Sequence, residues 1–324
     1  MAYSRRNTRS RRRNSPAGRT SGALRSAAVA FGVVAVALVC YFVVSAGGCN
    51  RATETPAAAA SSPSADALME VKAPRQLPQK QLKYMAMDIS FNPITHQPNW
   101  VAWELLGSEV SDVVERDDNF LPDPAVKGCA TPDDYRYTGY DRGHMAPAGD
   151  MKWHPQAMRE SFYMTNICPQ APDLNRGAWQ RLEKKCRERA VTDSALIIIC
   201  GPIFDTPATS NGTAAGLASS GNRGASSHGK NSTPVGVASL GETGVAVPQR
   251  FFKVILAPYV SKPWAIGFIM PNGYVEGGMQ KAAVPVDSVE RATGYDFFSA
   301  LPDPLETRLE QSCNFNAFSH TRRP

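Results

Sequence analysis

The residues best suited to chemistry crowd into one stretch, 140–183. Tyr140-Asp141-Arg142-Gly143-His144-Met145-Ala146-Pro147 sets an acid, a base, a glycine and a histidine side by side. Gly143 permits a tight backbone, so a turn presenting Arg142 and His144 is predicted. A neutral imidazole can take a proton from an attacking water near neutral pH. The planar fork of Arg142 suits a phosphate oxygen. Arg116, in Val113-Val114-Glu115-Arg116-Asp117-Asp118, offers the same fork from further upstream.

Thr165-Asn166-Ile167-Cys168-Pro169-Gln170 follows, and then Asn175-Arg176-Gly177-Ala178-Trp179-Gln180-Arg181-Leu182-Glu183. Asn175, Trp179 and Glu183 are spaced i, i+4, i+8, which predicts one ridge of a helix. Asn175 and Glu183 then stand about 12 Å apart along the axis. They cannot touch, but both can reach a hydrated ion above the ridge. One Asn oxygen on the metal, with Glu183 accepting from its waters, suits Mg²⁺, with Mn²⁺ as the second choice. The helix start at Asn175 would also present free backbone N–H groups to a phosphate. A base, an ion and an arginine together point to phosphodiester hydrolysis.

Asp141-Arg142-Gly143-His144, Thr165-Asn166-x-x-Pro169-Gln170 and Asn175-x-Gly177-x-Trp179-x-x-Leu182-Glu183 closely resemble the motifs of the DNA/RNA non-specific endonucleases. The resemblance runs from about Tyr84 to Asp303 and includes Pro98–Leu105 and Thr293–Phe298. It implies a ββα-metal (His-Me finger) nuclease domain, α+β, acting on DNA and RNA. It implies His144 as general base, Asn175 as direct metal ligand, and Glu183 as a catalytic residue that reaches the metal through water. Arg142 and Asn166 would support catalysis, and Arg142 and Arg116 would contact substrate. It also implies products with 5′-phosphate and 3′-hydroxyl ends, and dimers occur among relatives. No small-molecule cofactor is expected. A non-catalytic nucleic-acid-binding module in a DNA-uptake or envelope assembly is the alternative, although binding alone needs none of His144, Asn175 and Glu183. A smaller phosphodiester substrate is a third reading.

Each residue also has a plainer reading. Asn166 can simply satisfy loop backbone groups. Asp141 reads as structural, orienting Arg142 or capping a turn. His96 and His154 read as turn residues beside prolines, and Trp179 as core. The basic run Arg181–Arg189 reads as a solvated helix face, or as a track for the nucleic-acid backbone.

The elements that must hold these residues are short. Strands are predicted at Tyr84–Phe91, Asn99–Leu106, Ala195–Cys200, Phe251–Ala257 and Trp264–Met270. Helices are predicted at Pro155–Phe162 and Arg176–Val191. A central, mainly antiparallel sheet with helices follows.

The whole chain has 324 residues and a formal net charge of +6. Eight arginines and no acid fall in residues 1–25, which leaves 27 basic and 29 acidic side chains in the rest. The excess therefore belongs to the tail, not to a basic binding domain. No charge occurs from Ser26 to Asn50, so residues 26–48 are predicted to be a single transmembrane helix. The arginines predict a cytoplasmic N-terminus and an extracytoplasmic domain, periplasmic or on the cell surface. Lipidation at Cys49 is the alternative tether. Residues 49–80 read as a disordered linker, 81–305 as the nuclease domain, and 306–324 as a tail. A Gly/Ala/Ser/Thr-rich insertion is expected at 206–247. Cys129, Cys168, Cys186, Cys200 and Cys313 allow disulfides whose pairing sequence does not reveal, and Cys168 and Cys200 also suit buried thiols.

Overall fold

The structure is a computed structural model that describes residues 62–205 and 237–320. In chain order its strands are β1 (Lys80–Lys83), β2 (Asp88–Asn92), β3 (Gln97–Leu106), β4 (Asp141–His144), β5 (Ile167–Gln170) and β6 (Ala195–Ile203). They continue with β7 (Ser239–Leu240), β8 (Val245–Ala246), β9 (Arg250–Ala257), β10 (Trp264–Pro271) and β11 (Ala283–Val284). One antiparallel sheet runs in the order β1-β2-β3-β6-β9-β10-β11, while β4 pairs with β5 and β7 with β8. An α+β fold with a central antiparallel sheet is thus what forms.

The middle strands are buried on both faces, which is why β6 reads as an unbroken apolar run. Side chains alternate across the pleat. Val101, Trp103, Leu105, Leu196, Ile198, Phe251 and Ile255 face a layer that includes Met145, Ile167, Trp179 and Leu182. Ala102, Ile197, Ile199, Phe252, Val254 and Leu256 face a second layer with Leu68, Val286, Val289, Phe297 and Leu309. The helix Gln180–Asp193 lies on the first face. The helices Val286–Thr293 and Asp303–Glu310 lie on the second.

Several boundaries differ from expectation. The strand predicted at Tyr84–Phe91 is interrupted, because Tyr84 N–H donates to Met87 O at 2.9 Å and closes a turn between β1 and β2. Residues 62–80, read as the end of a linker, belong to the fold. Ser64 caps the helix Ala65–Met69, Leu68 is wholly buried, and Lys72 bridges to Asp296. Of the insertion, residues 237–247 form the β7–β8 hairpin with Leu240, Val245 and Ala246 buried. Asp134 ties it down by accepting from Thr243 N–H at 3.0 Å and from the Thr243 hydroxyl at 2.8 Å. The expected tail at 306–324 includes most of the helix Asp303–Glu310 and the helix Phe315–Ser319, with Leu309 and Phe318 buried.

Residues 1–61, 206–236 and 321–324 lie outside the described residues. These hold the basic tail, the expected span at 26–48, Cys49, most of the expected linker and most of the insertion. Among the described residues, no helix is long and apolar enough to cross a membrane. All five cysteines there are free thiols, four of them buried and Cys313 exposed.

Candidate active site

Asp141-Arg142-Gly143-His144 is a strand, not the predicted turn, and it pairs with Ile167–Gln170 opposite. Gly143 matters here for space rather than for a special φ. A β-carbon there would fall 2.1 Å from the Gln170 side-chain oxygen. Pairing aligns His144 with Ile167 and Arg142 with Pro169, so the two, with one residue between them, share a face of the strand, and both meet the Phe120 ring. His144 lies at the buried end and is 8% exposed, while Arg142 is exposed.

The His144 ring stands edge-on to Phe162 at 4.8 Å and tilted against Phe120 at 5.3 Å. Its Nε2 is buried without a hydrogen-bond partner. Burial first, and the Arg116 charge second, hold its pKa down at about 3. The imidazole is therefore neutral near neutral pH, with one ring nitrogen unprotonated, and the burial that keeps it neutral also weakens it as a base. Its carbonyl accepts from Trp179 Nε1–H at 3.3 Å, which fixes the buried indole beneath the strand.

Asn166 does not line the cleft and is wholly buried. Its Oδ1 accepts from Ala146 N–H at 2.9 Å, and its Nδ2 donates to Ala146 O and Ser161 O, each at 2.8 Å. It clamps the chain just beyond His144, as the plainer reading of backbone satisfaction expects. Asn175 sits in a π-helical turn, Leu174–Trp179, kinked at Gly177. The single ridge expected from Asn175 through Trp179 to Glu183 is thus broken after Asn175. Asn175 N–H is also spent, donating to Ala171 O at 2.9 Å, and is not free for a phosphate.

Asp141 is more than a turn cap. One of its carboxylate oxygens accepts from Asn175 Nδ2 at 3.0 Å and from Arg176 Nε at 2.8 Å, and the other accepts from Arg176 at 2.5 Å. A carboxylate can only accept, so the Asn175 amide must turn its nitrogen to Asp141 and keep Oδ1 free. An open cleft of about 370 Å³ is lined by Asn175, Asp141, Arg142, Phe120 and Tyr140, among others. Its oxygen donors, among them Asn175, Asp133 and Asp141, suit a hard, hydrated cation; Arg136, Arg142 and Arg176 line it too, and neither His144 nor Glu183 is in its lining.

Glu183 opens the helix Gln180–Asp193 and is only partly exposed. Burial first raises its pKa to about 7, against the pull of Lys253, Arg187 and Arg116. Arg116 is thus close enough to act on both His144 and Glu183. It pairs with Asp118 and stacks 5.1 Å from the Phe162 ring centre. Arg142 stacks 4.4 Å from the ring centre of Phe120. The structure therefore gathers Arg116, Arg142 and His144 around Phe120 and Phe162.

Two charged groups beneath the site, Asp150 and Lys253, were not singled out from sequence. Asp150 is buried, and it accepts from Arg187 at 2.8 Å and from Trp103 Nε1–H at 3.2 Å. Lys253, 1% exposed, lies 4.4 Å from the Trp179 ring centre and 4.9 Å from that of Trp103. Burial opposes its charge, but Cys200, Glu183, Cys186 and Asp150 outweigh that and raise its pKa above the ordinary lysine value. The helix face Arg181–Arg189 is correspondingly not all solvated. Arg187 turns in to Asp150, and Arg189 pairs with Asp193 at 2.6 Å under Trp264. The only sequence signal for Lys253 is a lone cation in the apolar run Phe251–Ala257.

Residues 64–304 match the family described as DNA/RNA non-specific endonuclease. Over 221 residues the chain is 35% identical to Nuclease EXOG, mitochondrial, of Danio rerio, covering 66% of this chain and 59% of that protein. Over 215 residues it is 32% identical to Endonuclease G, mitochondrial, of Homo sapiens, covering 64% and 66%. The chain thus spans roughly three fifths to two thirds of these relatives' lengths. The crystal structure of the EndoG/EndoGI complex contains a chain with a TM-score of 0.60 and 28% identity, covering 74% of this chain and 94% of that one.

Proposed function

This chain belongs to the DNA/RNA non-specific endonuclease family, and from that premise we propose that it is a metal-dependent nuclease. It hydrolyses phosphodiester bonds of DNA and RNA with little sequence preference, leaving 5′-phosphate and 3′-hydroxyl ends. The observation that carries this reading is the β4–β5 ribbon. It sets a buried neutral His144 beside an exposed Arg142 and lets Asp141 lock the Asn175 amide.

His144 takes the proton from the attacking water. Arg142, and Arg116 from the neighbouring segment, hold phosphate oxygens. Asn166 keeps the backbone beyond His144 in place. Asn175 through Oδ1, with Glu183 through water, would hold Mg²⁺ or Mn²⁺, and the bound ion would stabilise charge on the phosphate and the leaving oxygen. Asp141 positions the Asn175 oxygen. Residues 26–48 anchor the chain with its N-terminus in the cytoplasm and its nuclease domain outside, and a lipid on Cys49 would give the same placement. A homodimer is compatible with this reading.

The test incubates the full chain in detergent with plasmid DNA and with RNA, in Mg²⁺ or in EDTA. Cleavage of both polymers should require the metal. His144→Ala should lose at least about 100-fold in rate while still binding DNA. Wild-type rates in His144→Ala would overturn the assignment of the base.

A further inference from the structure

The second face of the sheet holds a group of carboxylates that the nuclease cleft does not use. The helices Val286–Thr293 and Asp303–Glu310 pack on the sheet through Val286, Val289 and Leu309. They bring together Asp287, Glu290 and Glu310, whose nearest carboxylate oxygens lie within 4.8 Å of one another. Clustered acids are common on surfaces. Glu310 is not on the surface: it is 8% exposed, and its Oε1 is buried with no hydrogen-bond partner.

The surroundings make that oxygen costly. Glu290, Glu306, Asp287 and Asp296 all act on Glu310 as like charges. Lys72 pairs with Asp296 at 3.3 Å from an exposed position. Glu290 accepts from Phe297 N–H at 2.9 Å, which fixes its carboxylate in place. A buried carboxylate among others needs a proton or a cation.

We propose that Asp287, Glu290 and Glu310 form a structural Ca²⁺ site, remote from the nuclease cleft, that clips the two helices together. Three carboxylates and no nitrogen or sulfur donor make a hard-cation set. Ca²⁺ accepts oxygens at about 2.3–2.6 Å in flexible geometry, so donors on opposite sides of the ion stand about 5 Å apart. Mg²⁺ demands near-ideal octahedral geometry at a shorter distance and suits such a set less. Water would complete the shell. The site does not depend on the chemistry assigned to His144.

Thermal unfolding of the full chain, after EDTA treatment and dialysis, reads the site directly. Wild type and Asn175→Ala should both gain roughly 5–10 °C in Tm when free Ca²⁺ is about 100 times its Kd. Mg²⁺ at the same concentration should give less. Glu310→Gln keeps the shape of the side chain but puts a neutral amide where the ion needs a carboxylate, so it should fold about as stably as the metal-free wild type, and it should lose the Ca²⁺ response. Asp287→Asn should lose most of it. No response in wild type at millimolar Ca²⁺ would overturn the proposal and leave a proton on Glu310 as what relieves the cluster. So would an undiminished response in Glu310→Gln. Loss of the response in Asn175→Ala would place the ion in the nuclease cleft instead.

Discussion

At the scale of single residues, the enclosure of His144 has a measurable consequence. The ring is neutral in the fold down to a pKa of about 3, held there by burial and then by Arg116. In the unfolded chain it titrates near the ordinary value of about 6.5. Between those values the unfolded state binds more protons, so stability falls as pH falls. The contribution is whole above about pH 6.5 and is lost as pH falls towards the folded value. His144→Phe keeps an aromatic ring but removes the proton. Between pH 7 and 4.5 the wild type should lose about 2 kcal/mol more than His144→Phe, read by urea denaturation at each pH. Equal losses in the two proteins would mean that the ring is not held neutral. His144, Arg142 and Asn175 were legible in sequence because residue type and short spacing carry the signal. The partners that hold them were not. Asp141 meets Asn175 across 34 positions, and Arg187 meets Asp150 across 37. Lys253 comes from a strand about 70 residues beyond Glu183, in a run that otherwise reads as core.

At the scale of elements, strands buried on both faces announce themselves. Ala195–Cys200 is apolar throughout, and the structure extends that strand to Ile203. The Asp141–His144 strand hides behind its own glycine, which reads as a turn until Gln170 is seen packed against it. The helix predicted from Arg176 begins as a π-helical turn because Gly177 leaves helical φ/ψ, and no spacing argument reveals that. The Gly143 contact gives this scale its test. A methyl group there would meet Gln170 Oε1 at 2.1 Å and Cγ at 2.5 Å, too much of the side chain to swing aside. Gly143→Ala should therefore cost about 1–3 kcal/mol. It should also reduce cleavage, because the strand carries His144 one residue on. Gln170→Ala clears the space. The double variant should regain stability relative to Gly143→Ala, giving a coupling energy of about 1 kcal/mol or more. Simple additivity would show that the glycine serves some other purpose.

At the scale of the whole molecule, the charge divides between parts with different work. The net +6 would suggest a basic protein that binds nucleic acid through its overall field. Residues 26–324 carry 27 basic and 29 acidic side chains, so a field of that kind does not extend over the fold. Several of those basic groups are also turned inward or neutralised. Arg187, Arg189 and Lys253 lie among Asp150, Asp193 and Glu183, and Arg176 is held by Asp141. On the proposed reading, phosphate capture is then local, with Arg142 in the cleft, Arg116 near His144 and a bound cation as its candidates. Deleting residues 1–50 separates the two parts. The shortened chain should leave the membrane fraction and retain kcat/KM on plasmid DNA within about twofold at moderate salt, where charges beyond a Debye length of about 8–10 Å are screened. Cleavage that falls tenfold or more at that salt, with the fold intact by circular dichroism, would mean that the arginine tail recruits substrate and that the cleft alone does not.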